Sequence, residues 1–149
     1  MIRTDKEHRK ALQQLEEEAH AMELQRRQLE QMDLKREEVE RAMQPVRSFH
    51  EQLKEEVEAY ERMKRGDLGT LYSLASIGQW LIGVRIAKGM SQKALAERLG
   101  VSESQVSRDE RNEYHGVTVE RAQRILEVLG VRFRAEVEEP VVQAPGVSG

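Results

Sequence analysis

The chain has 149 residues, of which 34% are charged and only 4% are aromatic, and its net charge is −3. This composition is typical of a soluble helical protein with much exposed surface, and it argues against a large compact enzyme. The absence of cysteine excludes disulfides and thiolate metal sites. No run of apolar residues approaches the ~18 that a membrane span needs. The N-terminal stretch MIRTDKEHRKAL lacks the apolar centre of a signal peptide, so we expect a cytoplasmic protein that does not enter membranes.

Residues 1–65 are predicted to form long amphipathic helices that resemble a coiled coil. From Thr4 to about Met43 the apolar residues form a narrow seam on a background of Glu, Gln, Arg and Lys, and the seven-residue pattern changes register after Leu29. Pro45 lies inside this pattern, and because proline removes a backbone donor we expect a break or kink there. The sequence leaves open whether the two parts fold back as a hairpin or continue with a kink. Either arrangement would serve dimerisation or the docking of a partner.

A second N-terminal helix is predicted from Val46 to about Lys64. Residues 66–73 contain two glycines and are predicted to be a linker. The inward face of the helix is expected to consist of five apolar residues at helical spacing, namely Phe49, Leu53, Val57, Tyr60 and Met63.

Four helices are predicted between residues 74 and 130, where eight Lys/Arg and seven Asp/Glu give a net charge of +1. A tight turn separates the second from the third, because Gly100 accepts the left-handed conformation that ends a helix and Ser102 with Gln105 forms a capping box. The third helix has only Val106 as a clearly apolar inward residue, so most of its surface is offered to a polar partner. This pattern is typical of a helix-turn-helix, whose second helix enters the DNA major groove.

This segment resembles the Cro/lambda-repressor-type (XRE) family of helix-turn-helix regulators. The similarity extends from about Ile77 to Gly130 and is carried by residues at family-like spacing: Gln92, Ala96, Gly100, Val106 and Glu110. Asp109 departs from the family, which usually has an apolar or aromatic residue packed inward at that place. We expect Asp109 to face solvent or to pair with Arg111 or Arg108.

The resemblance implies a DNA interface on the second and third of these helices. Base readout is expected from the third helix, through Ser104, Gln105, Ser107 and Arg108. Phosphate contacts are expected from the flanking positions Gln92, Lys93, Arg111, Asn112 and Tyr114. In the alternative interpretation, Arg108 is tied to Asp109 or Glu110, and Gln92 and Lys93 are an ordinary solvated first turn. Val106 and Glu110 are expected to be structural, with Arg98 as a candidate partner of Glu110.

The resemblance also implies a sequence-specific DNA-binding transcriptional regulator that binds a near-palindromic operator on double-stranded DNA as a homodimer. Two alternatives remain: an antitoxin-type regulator whose N-terminal helices bind a toxin, and a helical interaction scaffold that does not bind DNA. The sequence contains no HExxH motif, P-loop, GxGxxG or GxSxG. We therefore predict no enzymatic activity, no catalytic residues, no metal site and no cofactor.

The C-terminal residues 131–139, VRFRAEVEE, alternate between apolar and charged side chains, which predicts a short β-strand. Since one strand has no partner in a helical chain, two copies could pair their strands across a two-fold axis. Residues 140–149 are predicted to be a flexible tail. The predicted fold class is mainly all-α: a lambda-repressor-like helical domain preceded by long helices and followed by one strand.

Overall fold

The computed structural model describes residues 1–146, and in this range the secondary structure consists of six α-helices and one 3-10 turn. In chain order they are α1 (Asp5–Glu30), α2 (Arg36–Lys64), the 3-10 turn (Leu74–Ser76), α3 (Ile77–Ala87), α4 (Gln92–Leu99), α5 (Glu103–Arg111) and α6 (Val119–Leu129). Across these described residues, every helix is too short or too polar to cross a bilayer.

Helices α1 and α2 pack against each other as an antiparallel hairpin, which settles the choice between a hairpin and a kinked helix. Thr4 caps α1, because its hydroxyl accepts a hydrogen bond from the Glu7 amide and the Glu7 carboxylate accepts one from the Thr4 amide. Side-chain contacts between the two helices fix the antiparallel order, since low numbers in α1 meet high numbers in α2: Tyr60 with Asp5 at 2.7 Å, His50 with Glu18 at 3.4 Å and Arg26 with Glu40 at 2.9 Å.

The chain reverses at residues 31–35, so the predicted break near Pro45 was wrong. Helix α2 continues through Pro45, where the missing backbone donor and the proline ring cost about 3 kcal/mol or more. Apolar packing on both sides of the proline offsets this cost, since Met43 is only 1% exposed and Val57 is also buried. At the actual turn, Asp33 adopts the left-handed conformation with φ of 56°.

The hairpin seam also corrects the predicted inward face of α2. Val57 and Tyr60 are buried, and Leu53 and Met63 are half-buried, as predicted. Phe49 was predicted to point inward as well, but it is 72% exposed. The neighbouring residue His50 occupies the seam instead, where it is half-buried and contacts Glu18 of α1 at 3.4 Å.

Helices α3 to α6 share one apolar core, and α2 packs on the outer side of α3. The most deeply buried residues, each at most 1% exposed, come from all four helices: Leu81, Ile82, Leu95, Val106 and Ile125. Gly83 permits the approach of α2 and the linker, because a Cβ at this position would lie 3.0 Å from the Leu68 side chain and 3.3 Å from the Met63 sulfur. The hairpin and the four-helix unit are therefore continuous through one core cluster.

The boundaries of α4, α5 and α6 follow from capping residues, of which the sequence predicted Ser102 and Gly100. The predicted capping box is only half formed, because the Gln105 side chain bonds to Asp109 and Arg108 instead of the Ser102 amide. The hydroxyls of Ser91, Ser102 and Thr118 each accept a hydrogen bond from a backbone amide three residues later, at 3.0 to 3.1 Å. Gly100 and Gly130 end α4 and α6 in the left-handed conformation, with φ of 73° and 67°.

The segment 131–139 forms no strand in the described part of the chain, which corrects the prediction of a C-terminal β-strand. The reason is that a strand needs a neighbour for its backbone groups, and no strand of residues 1–146 lies beside it. The segment instead contacts α3 through its aromatic residue: the rings of Phe133 and Trp80 form a T-shaped pair with 6.1 Å between their centroids.

Candidate nucleic-acid interface

Helix α5 has a buried inner side and a polar outer side. Val106 and Glu110 are buried on the inner side, whereas Ser104 and Arg108 are exposed, and Ser107 is half-buried. Because only one apolar residue seats the helix, its position depends heavily on the polar contacts that Glu110 makes.

A buried ion pair between α3 and α5 holds the inner side of α5. The Glu110 side chain is fully buried, and it accepts hydrogen bonds from Arg85 at 2.5 Å and 2.9 Å and from the Gln92 amide at 2.7 Å. A buried carboxylate needs such compensation, because removing a charge from water is costly. The predicted partner Arg98 was wrong. It lies on α4 and is exposed, whereas Arg85 supplies the pairing charge.

The start of α4 lies beside this ion pair. Gln92 is half-buried and uses one amide hydrogen for Glu110, so the side chain is anchored to α5 rather than simply solvated. Its second amide hydrogen and the free backbone amides of the first turn remain suited to a phosphate. Lys93 is exposed at the same end of the helix.

A second hydrogen-bonded network connects the outer side of α5 with α6. Arg121 donates to Asp109 at 2.7 Å, Gln105 donates to the same carboxylate at 2.8 Å, and Arg108 donates to the Gln105 carbonyl at 3.0 Å. Asp109 therefore pairs with Arg121. The predicted partners, Arg111 and Arg108, were wrong. Arg108 likewise bonds to Gln105 rather than to either neighbouring carboxylate.

Tyr114 belongs to the core, which contradicts its predicted phosphate contact. Its side chain is 5% exposed, and burial, reinforced by the Glu110 charge, raises the pKa of its hydroxyl well above the usual value of 10.0. The chain reaches this position through a tight turn in which Glu113 and Tyr114 both have φ of 52°. Arg111 and Asn112 precede the turn and are exposed.

The close approach of this turn to α3 requires Gly78. A Cβ on Gly78 would lie 1.7 Å from the Glu113 carbonyl oxygen, so no larger residue fits without moving the backbone. Gln79 stabilises the same contact by donating to the Glu113 carboxylate at 3.1 Å. The turn that follows α5 therefore packs directly against α3.

The first residues of the chain contact Arg85, the partner of Glu110, and the sequence did not predict this contact. Arg85 donates a hydrogen bond to the Arg3 carbonyl at 2.8 Å, and Ile2 is buried. A cavity of about 330 Å³ separates this N-terminal segment from the start of α4 and from Glu103 of α5. No local pattern could have revealed the contact, because Arg3 and Arg85 are 82 residues apart.

Among residues 1–146, no three His, Cys, Asp or Glu side chains lie close enough together to hold a metal ion.

Residues 82–135, which extend from α3 to the C-terminal segment, match the helix-turn-helix family. No curated protein and no solved structure matches the chain. The family match and the paired helices α4 and α5 agree, and residues 82–135 form a helix-turn-helix domain of the XRE type.

Proposed function

We propose that the protein is a sequence-specific regulator that places α5 in the major groove of double-stranded DNA. The observation that carries this proposal is the two-sided construction of α5. Its inner side is fixed by the buried Glu110, and its outer side offers Ser104 and Arg108 to a partner. A recognition helix needs such a rigid seat, because base readout depends on where the side chains start.

The proposed contacts follow from exposure and from the chemistry of each side chain. Arg108 suits guanine, to which an arginine can donate two hydrogen bonds, and Ser104 and Ser107 suit several base edges. The phosphate contacts are assigned to the exposed residues at the ends of the two helices and to the first turn of α4: Gln92, Lys93, Arg111 and Asn112.

We propose that the regulator binds as a homodimer to a near-palindromic operator, with half-sites about 34 Å apart. One feature supports a two-fold partner. Tyr72 and Leu74 are 82% and 74% exposed beside a groove that Trp80 and the C-terminal segment also line.

Substitution of the exposed apolar residues beside this groove tests the dimer. Tyr72→Ser combined with Leu74→Ser should weaken self-association, because it removes the apolar surface that a second copy would cover. Sedimentation of the purified proteins measures the effect, and association equal to that of the wild type would place the interface elsewhere.

Selection of bound sequences from a random duplex pool tests DNA recognition. The full-length protein should enrich an inverted repeat, and Arg108→Ala should relax the preference at one base pair in each half-site. Lys93→Ala, a phosphate variant, should weaken all duplexes alike and reduce the dependence of affinity on salt. A folded protein that enriches no sequence would refute the proposal and favour an interaction scaffold.

A second candidate function, an antitoxin-type regulator, is favoured by the exposed apolar residues of the hairpin. Phe49 is 72% exposed and Met32 is 65% exposed, both away from the helix-turn-helix unit. Aromatic residues and methionine are enriched at protein interfaces, and a small basic toxin encoded beside this chain is the proposed partner. Co-expression with that neighbour should yield a complex that Phe49→Ser weakens, and independent purification of the two proteins would exclude this role.

A further inference from the structure

We propose that Asp109 and Arg121 set the base preference of α5 without contacting DNA. They would do so by fixing the orientation of Gln105, which in turn holds Arg108. This inference rests on the proposed function, and it changes the role of Gln105 from a base-reading residue to a positioning residue.

The geometry forms one continuous chain of hydrogen bonds from α6 to the outer side of α5. It starts at Arg121, whose guanidinium is 2.7 Å from the Asp109 carboxylate, and passes to the Gln105 amide nitrogen at 2.8 Å. It ends at Arg108, 3.0 Å from the Gln105 carbonyl oxygen. The inner members are better shielded than the end, since Asp109 and Gln105 are partly buried and Arg108 is exposed.

The Asp109 carboxylate determines which way each hydrogen bond of this network runs. An ionised Asp109 can only accept hydrogen bonds, so Gln105 must turn its amide nitrogen towards it. The Gln105 carbonyl oxygen is then left facing Arg108, which can only donate. Arg108 uses one of its five N–H groups in this contact, and the other four remain for the two acceptors of guanine.

The consequence for DNA binding is that Arg108 is ordered before the duplex arrives. Ordering a long side chain at an interface lowers affinity by about two- to twelvefold. If the network has already ordered Arg108, this loss is avoided only on duplexes with the base that Arg108 contacts. The network therefore raises the preference for that base rather than the affinity for DNA in general.

Asp109→Asn is the sharpest test, because it keeps the size of the side chain and removes the enforced direction. Since Arg121 can only donate, the introduced asparagine would turn its carbonyl oxygen to Arg121 and its amide nitrogen to Gln105. Gln105 would then rotate and point its own amide nitrogen at Arg108, which places donor against donor. We expect the preference at the base pair read by Arg108 to fall by about two- to twelvefold, with the other positions unchanged.

The experiment uses the full-length protein in fluorescence anisotropy titrations. One duplex is the selected site, and the other differs only at the base pair where Arg108→Ala relaxes the preference. Arg121→Ala is the second variant, in case Asp109→Asn does not fold, because it removes the contact that holds the Asp109 carboxylate beside Gln105. Arg124→Ala is the matched control for Arg121→Ala, because it also removes one arginine from α6. Arg124 lies at the surface, 4.0 Å from Glu127. The control should weaken both duplexes equally.

The outcomes separate this inference from the function on which it rests. In an Arg108→Ala background, Asp109→Asn should cause no further change in preference, because the residue through which it acts is gone. Unchanged preference in folded Asp109→Asn and Arg121→Ala proteins, or an equal change with and without Arg108, would overturn the positioning role alone. A wild-type protein that enriches no sequence would overturn both proposals.

Discussion

Replacing Glu110 with alanine tests what holds α5 in place. The substitution removes a fully buried carboxylate and leaves the Arg85 guanidinium, 4% exposed, without its counter-charge. It also removes the acceptor for two hydrogen bonds from Arg85 and one from Gln92. Breaking a buried ion pair by removing one partner costs about 3–5 kcal/mol. The total free energy of unfolding of a typical domain is only about 5–15 kcal/mol.

The double variant Arg85→Met with Glu110→Leu distinguishes an unpaired charge from lost packing. Both replacements are apolar and close in size to the residues that they replace, so no charge remains buried. We expect the double variant to be more stable than Glu110→Ala. Recovery should be incomplete, because Arg85 also donates to the Met90 and Arg3 carbonyls at 2.8 Å, and each unsatisfied carbonyl costs about 1–3 kcal/mol.

Urea denaturation followed by circular dichroism gives the free energy of unfolding for each protein. Glu97→Ala is the matched control, because Glu97 is an exposed glutamate on α4 and its removal should change stability by no more than about 0.5 kcal/mol. A loss below about 1 kcal/mol for Glu110→Ala would refute the reasoning, since the ion pair would then not be the main support of α5.

Two further predictions concern the close approach at α3 and the start of α1. Gly78→Ala should lower the free energy of unfolding by about 3 kcal/mol, the upper end of the usual cost of overpacking, because the new Cβ would lie 1.7 Å from a backbone oxygen. Gly83→Ala, which meets only side-chain atoms at 3.0 Å and beyond, should change stability by less than about 1 kcal/mol; equal thermal shifts would contradict this. The Tyr60 hydroxyl and Lys64 hold the pKa of Asp5 below its usual 3.8. The ionised Asp5 carboxylate therefore stabilises the fold at pH values above 3.8, and this stabilisation is lost as the pH falls through the lowered pKa. The stability difference between wild type and Asp5→Asn should therefore be constant near neutral pH and shrink below about pH 4; a difference that persists in acid would count against it.

The parts of the fold that the sequence predicted correctly are those that depend on short spacings. Ser102 and Gly100 determine the turn between α4 and α5 through contacts within a few residues, so their roles are visible in the sequence itself. The Arg85–Glu110 pair spans 25 residues, and choosing Arg85 over Arg98 requires knowledge of which face α3 presents to α5. Residue type showed that Glu110 needed a cation, but spacing did not show which one.

The N-terminal hairpin shows how a local rule can be outweighed. Pro45 has a local cost, and the sequence analysis placed the break there. The more informative signal was the change of register after Leu29. Leu29 belongs to the seam of α1, and the seven-residue pattern that resumes at Val39 belongs to the seam of α2, so the shift between them marks the turn. A register shift removes apolar contacts along a whole helix, whereas one proline removes a single hydrogen bond.

The predicted DNA-contacting residues show a related effect. Polar side chains that can bind DNA can also form hydrogen bonds within the protein or pack in its core. Gln92 and Gln105 each bond to a carboxylate of α5, and Tyr114 lies in the core. Lys93 stays exposed, because burying an unpaired charge is costly, and its phosphate contact stays a prediction. The guanidinium of Arg85 extends the same argument to the whole molecule. It holds Glu110 on one side and the Arg3 carbonyl on the other, so the seat of the proposed recognition helix depends on the first residues of the chain.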